Sequence, residues 1–105
     1  MIRIRLFCAA GFSTGMLVKK IEEAIDRRNI EADVKACPQG ELESSIRDAD
    51  VALLGPQVAY TLEKSKIVCD KKGIPVGVIP MKDYGLMNGE GILSYALNLI
   101  EKYKK

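Results

Sequence analysis

Val51-Ala52-Leu53-Leu54 is an unbroken apolar run, with Asp50 before it and Gly55-Pro56 after it. A half-buried strand alternates, so a strand without a polar face has to be covered on both sides. Helices provide that cover when parallel strands are joined by crossovers, and the rest of the chain supplies them. Ile2, Ile4 and Leu6 alternate with Arg3, Arg5 and Phe7, which predicts a first strand. Leu17, Ile21, Ala24 and Ile25, with the stem of Arg28, recur at helical spacing; Ser13 or Thr14 can cap this helix and Asn29-Ile30 ends it. Ala32 to Cys37 reads as a second strand, stopped by Pro38 and Gly40. Glu41 to Arg47 fits one or two helical turns, with Leu42 and Ile46 facing inward. A helix from about Val58 to Lys72 carries Leu62, Ile67 and Val68 as its apolar positions. Val76 to Ile79 is a fourth strand, and a last helix runs from near Glu90 toward Tyr103 on Ile92, Leu93, Ala96, Leu97 and Ile100.

Four βα units predict an α/β fold: an open four-stranded parallel sheet with helices on both faces, and residues 1–105 as one domain. A 2-1-3-4 strand order is expected, because it creates a switch point beside the first strand. A chain of 105 residues can bury an ordinary core without disulfide staples. Its 48% hydrophobic and 29% charged residues are those of a globular chain rather than a disordered one. No apolar run is long enough to span a bilayer, and Met1 to Phe7 is too short and too charged for a signal peptide, so a cytosolic protein is expected. The 16 basic and 14 acidic side chains are mostly interspersed and leave a net charge of +2. Nucleic-acid binding would need a concentrated basic stripe, and Lys102, Lys104 and Lys105 read instead as a solvated helix end.

The chemistry concentrates where the first strand meets the first helix. Cys8 closes the strand, and Ala9, Ala10, Gly11, Phe12, Ser13, Thr14 and Gly15 lead into the helix. Small residues and two glycines let backbone N–H groups turn inward as an anion nest, and the helix N-terminus adds its dipole. The same donors would stabilise a thiolate over a thiol. Cys8 therefore reads as a nucleophile beside a phosphate-sized cradle, against the plainer role of a buried, inert core cysteine. Cys37 and Cys69 read as structural. Histidine is absent and the cysteines have no close metal-ligand spacing, so neither a metal nor a cofactor is expected.

Cys8 and its loop also resemble the phosphate loop of low-molecular-weight protein tyrosine phosphatases, a cysteine followed by five residues and an arginine. Thr14 stands where that arginine would be, which removes the bidentate clamp on a phosphoryl group in transfer. Walker-type binding fails because Met16 and Leu17 follow Gly15, the spacing of Gly11 and Gly15 does not make a dinucleotide fingerprint, and no resolving cysteine supports a thioredoxin-like site. Phe12, Met16 and Leu17 can form an apolar docking collar around the thiol, although Leu17 also suits the core. Gly55-Pro56-Gln57 should share the rim with Cys8, where Gln57 either caps the connection, orients a loop or donates to an oxyanion. Asp83 and Tyr84 belong to another rim segment, as partner contacts or as the filling of a glycine-containing turn.

Three segments then carry a resemblance that covers nearly the whole chain. Leu6-Phe7-Cys8-Ala9-Ala10-Gly11-Phe12-Ser13-Thr14, Val51 to Tyr60, and Val78-Ile79-Pro80 with Asp83-Tyr84-Gly85 resemble the IIB component of the bacterial phosphoenolpyruvate-dependent sugar phosphotransferase system, lactose/cellobiose class. The resemblance implies that Cys8 accepts a phosphoryl group from a phosphohistidine of a IIA component. It implies further that the group passes to a disaccharide such as cellobiose, chitobiose or lactose, bound by the membrane IIC component. The loop from Ala9 would then be the phosphate-binding loop. The protein would be a cytoplasmic phosphotransferase, meeting the inner face of the membrane only through IIC. A noncatalytic regulatory or interaction protein on the same fold is the first alternative, and a low-molecular-weight-phosphatase-like hydrolase the second.

Overall fold

The computed structural model describes residues 1–8 and 14–104, without the side chains of Thr14, Gln39 and Lys104. Strands β1 (Ile2–Cys8), β2 (Ala32–Pro38), β3 (Val51–Leu54) and β4 (Val76–Val78) form one sheet in the order β2-β1-β3-β4, parallel at every pairing. This is the expected order. Its helices are α1 (Thr14–Arg27), α2 (Leu42–Ser45), α3 (Leu62–Lys71), α4 (Met81–Gly85) and α5 (Gly89–Lys104).

The unbroken run of β3 is buried throughout, and the two sides of the sheet explain why. Ile4, Leu6 and Cys8 of β1, with Val51 and Leu53 of β3, pack under Leu17, Ile21 and Ala24 of α1 and Ile92, Leu93 and Ala96 of α5. Phe7, Ala52 and Leu54 face the other way, onto Leu42, Ile46 and Cys69 from the α2 and α3 layer. Each fully buried aliphatic side chain contributes roughly 1.5–3 kcal/mol from leaving water, so both layers are needed. At Gly89 the two helices of the first layer meet backbone to backbone, and a β-carbon there would collide with the Lys20 carbonyl. Glu90 fastens the same contact, accepting hydrogen bonds from Arg27 Nε at 2.9 Å and Arg28 Nε at 2.8 Å. Those bonds hold its carboxyl below the usual carboxylate range.

Three expectations are corrected, and one burial was not anticipated. The helix expected from about Val58 begins as a 3-10 segment, Pro56–Thr61, kinked at Val58, and becomes α-helical only at Leu62. Leu62 and Val68 pack half-buried against the second cluster as expected, but Ile67 faces solvent, and the buried positions are Thr61, Ser65 and Cys69, whose spacing of four places them on one helical face. Met81–Gly85 is a short helix rather than a simple turn. Arg5 is buried on the second face, where its Nη1 lies 3.2 Å from Asp33 and its Nη2 3.5 Å from Asp48.

Candidate functional site

Strand order decides where a site can form. From β1 the chain leaves through α1 toward β2, and from β3 it leaves through α3 toward β4, on the opposite side. The connections leaving these neighbouring strands diverge, which opens a crevice at their C-terminal ends. Cys8 is the last residue of β1 and Gly55 the first after β3, so both stand at this switch point.

Their relation is close. The Gly55 N–H donates to the Phe7 carbonyl at 2.8 Å, prolonging the β1–β3 ladder by one bond. A β-carbon on residue 55 would sit 2.9 Å from Cys8 Sγ and 2.7 Å from Gln57 Oε1. Only glycine leaves that space to the sulfur and the carboxamide oxygen together. Cys8 itself is buried, 5% exposed, in the cluster under α1 and α5. Gln57 lies on the outer side of the 3-10 segment, yet its side-chain oxygen turns back toward Gly55. The rim shared by Gln57 and Cys8 is thus found in the structure.

The other expected site residues fall into three groups. Ala9, Ala10, Gly11, Phe12 and Ser13 lie outside the described residues. Thr14 opens α1, and Gly15 is exposed in its first turn. Tyr84 is half-buried and packs against the cluster that contains Cys8. Asp83 is turned toward its own chain, accepting from Asn88 Nδ2 at 3.1 Å and, through its carbonyl, from the Asn88 N–H at 2.8 Å. Asn88 Oδ1 in turn accepts from the Gly91 N–H at 3.1 Å, so Asp83 steadies the residue that caps α5.

Cys69 is fully buried beneath α3, where burial first and Asp70 second push its thiol up to about 11. Cys37 lies on the outer strand, opposite Phe7 in the β1–β2 register. No group of three or more His, Cys, Asp or Glu side chains comes together among the described residues. None of the described helices is long and apolar enough to cross a membrane.

Sequence reasoning missed the apolar side chains that stand exposed around this end of the sheet. Tyr60, Met81 and Leu86 are each at least 70% exposed, and Met16 is exposed as the collar expectation required. They lie in the segments leaving the C-terminal ends of β1, β3 and β4. Leu17 is buried in the core, outside any collar. The signal available for Met81 and Leu86 was their place in a segment too short to build a helical face of its own.

The chain is similar to known proteins over almost all of its length. Residues 3–95 match the family model described as the lactose/cellobiose-specific IIB subunit of the PTS system. The galactose-specific EIIB component of Lactococcus lactis subsp. cremoris is 35% identical over 102 residues, 92% of this chain and 94% of that protein. The oligo-beta-mannoside-specific EIIB component of Bacillus subtilis is 34% identical over 100 residues, covering 95% and 97% of the two chains. The solution structure of a cellobiose-specific phosphotransferase IIB component from Borrelia burgdorferi superposes with a TM-score of 0.80 at 37% identity, over 97% of this chain and 94% of that one. With a parallel β2-β1-β3-β4 sheet, a cysteine ending β1 and these likenesses in both sequence and fold, the chain belongs to the lactose/cellobiose-specific IIB family of the sugar phosphotransferase system.

Proposed function

We propose that this protein is a phosphoryl carrier in which Cys8 takes a phosphoryl group from a phosphohistidine of a IIA partner and gives it to a disaccharide held by the membrane IIC component. The observation that carries this reading is the position of Cys8 at the switch point, against Gly55 and Gln57, in a chain of the IIB family. In the first step the thiol loses its proton and a sulfur lone pair forms the S–P bond. The N–P bond of the phosphohistidine breaks, and its electron pair returns to the imidazole. In the second step a sugar hydroxyl attacks phosphorus as its proton leaves, and the S–P electron pair returns to sulfur.

Backbone N–H groups from Ala9 to Gly15 would receive the phosphoryl oxygens, and the N-terminus of α1 favours their charge. The chain contains no histidine because the donor histidine belongs to the partner. Thr14 in place of an arginine leaves water attack without its electrostatic clamp, as a carrier requires. Met16, Tyr60, Met81 and Leu86 give both partners an apolar surface around the thiol, with Tyr84 at the same rim. IIA and IIC then use one face in turn and compete for it.

Residues 1–105 act as a single IIB domain in the cytoplasm, reaching the inner face of the membrane through IIC. The relatives' names specify galactose, oligo-beta-mannoside and cellobiose, and the sugar here is set by IIC rather than by the rim of this chain. Reconstitution with phosphoenolpyruvate, the general phosphotransferase proteins, candidate IIA partners and IIC vesicles tests the carrier role. Cys8→Ser is expected to abolish sugar phosphorylation with an unchanged circular dichroism spectrum. Full transfer by that variant would overturn the proposal. Absence of transfer by the wild type with every IIA would favour a noncatalytic module, and release of phosphate from an aryl phosphate a hydrolase.

A further inference from the structure

We infer that Gln57 is a positioning residue for the Cys8 sulfur, presenting its carboxamide oxygen to the neutral thiol and its NH2 group to the thiolate and the incoming phosphoryl group. The inference rests on the carrier reading for its phosphoryl half and on geometry alone for its thiol half.

The geometry is a convergence. Gln57 Oε1 and Cys8 Sγ both approach the point where a β-carbon on residue 55 would sit, at 2.7 and 2.9 Å from that point. The backbone that delivers Gln57 is fixed at several places. Gly55 is tied to Phe7, Pro56 sets the first position of the 3-10 segment, and the Val58 N–H donates to the Gly55 carbonyl at 3.0 Å. A long polar side chain on the outer side of this segment has solvent available, yet its oxygen faces the sulfur end of the crevice.

A carboxamide is suited to a sulfur that changes charge. Its oxygen accepts from an S–H, and its NH2 donates two hydrogen bonds. The terminal torsion of glutamine is broad, so the two ends exchange by rotation without moving the backbone. Against a thiolate or a phosphoryl oxygen the NH2 end makes a charge-assisted bond, whereas an oxygen lone pair would repel the charge. Among the described residues, the phenols Tyr84 of α4 and Tyr95 of α5 pack against the cluster holding Cys8, and Asp83 of α4 is engaged by Asn88. Gln57 is thereby a group on β3's side of the crevice that can follow the sulfur from acid to anion to phosphothioester.

Two near-isosteric variants test this on the full chain. Gln57→Leu keeps the bulk and removes the hydrogen bonds, and Gln57→Glu replaces the NH2 with a second, charged oxygen. The readouts are the pH dependence of Cys8 alkylation by iodoacetamide, followed by residue-resolved mass spectrometry, and the rate of Cys8 phosphorylation by the IIA donor. Gln57→Glu should shift the alkylation profile upward by about one pH unit or more and slow phosphorylation about tenfold or more. Gln57→Leu should slow phosphorylation several-fold with a smaller shift of the profile. Profiles and rates within about twofold of wild type for both variants would overturn the inference. If wild-type Cys8 takes no phosphoryl group from any donor, the carrier reading fails, and the alkylation profiles still decide the role of Gln57.

Discussion

Gly55 lies against Cys8 so closely that a β-carbon on it would stand 2.9 Å from the sulfur. The contact joins the end of β1 to the start of the connection after β3, and it lets one strand's terminal residue be held by its neighbour's turn. Gly55→Ala should therefore displace the sulfur or the Gln57 side chain, since the Cys8 side chain is short and buried. The expected result is a loss of about 1–3 kcal/mol in urea unfolding and a larger, at least tenfold, loss in phosphoryl acceptance. Wild-type values for both would show that the crevice is looser than its geometry.

The buried stripe of α3 contains one unmatched group. Ser65 Oγ has no hydrogen-bond partner among the described residues, and the side chain is 1% exposed. An unsatisfied buried hydroxyl costs roughly 1–3 kcal/mol, so Ser65→Ala should raise stability by about 1 kcal/mol. Denaturant midpoints of the two proteins check this, and a less stable variant would contradict it.

Arg5 predicts an asymmetry. Removing Asp33 leaves a buried guanidinium with the Ile4 carbonyl and the exposed Asp48 as its partners among the described residues, whereas Arg5→Met replaces the charge with apolar volume. Asp33→Ala should cost about 1–3 kcal/mol, reduced from the fully buried case because Asp33 is partly solvated, and Arg5→Met should cost less. The reverse ranking in thermal unfolding would show that the ion pair itself is the net stabiliser.

Alkaline pH should unfold the protein partly through Cys69. Its thiol titrates near 9.0 when unfolded and about 11 when folded, so above pH 9 the unfolded chain has lost a proton that the native state retains. Stability is then lost as pH rises from 9 to 11, by on the order of 2–3 kcal/mol, and is unaffected by this group below pH 9. Cys69→Ala should flatten that part of the pH–stability curve. An identical slope in the variant would assign the loss to other groups.

The parallel sheet was legible because β3 lacks a polar face and β1 leads into an amphipathic helix, whereas the pattern alone does not set the strand order, which was expected only for the switch point it creates. Those features force two covering layers. Arg5 was not legible as buried. Strand alternation assigns it only to the face opposite Ile4 and Leu6, and its partners Asp33 and Asp48 lie far away in sequence. The α3 face was assigned in part: Leu62 and Val68 pack against the core, but the buried positions are the small residues Thr61, Ser65 and Cys69, and Ile67 stays outside. Periodicity weighs hydrophobicity and does not detect a helix packed through small side chains. At the site, the places of Cys8 and Gly55-Pro56-Gln57 at neighbouring strand ends followed from the strand pattern, whereas the weight given to Cys8 came from the loop that follows it. The tethering of Asp83 to Asn88 needed the α4–α5 turn, which five helical residues are too few to announce.

Residue-resolved mass spectrometry of the phosphorylated protein tests the central claim most directly. After incubation with phosphoenolpyruvate, the general phosphotransferase proteins and a IIA donor, the phosphoryl group is expected on Cys8 alone. It should disappear when IIC vesicles and the matching disaccharide are added, with sugar phosphate appearing in equal amount. A transferable phosphoryl group on Cys37, Cys69 or any other residue would contradict the account.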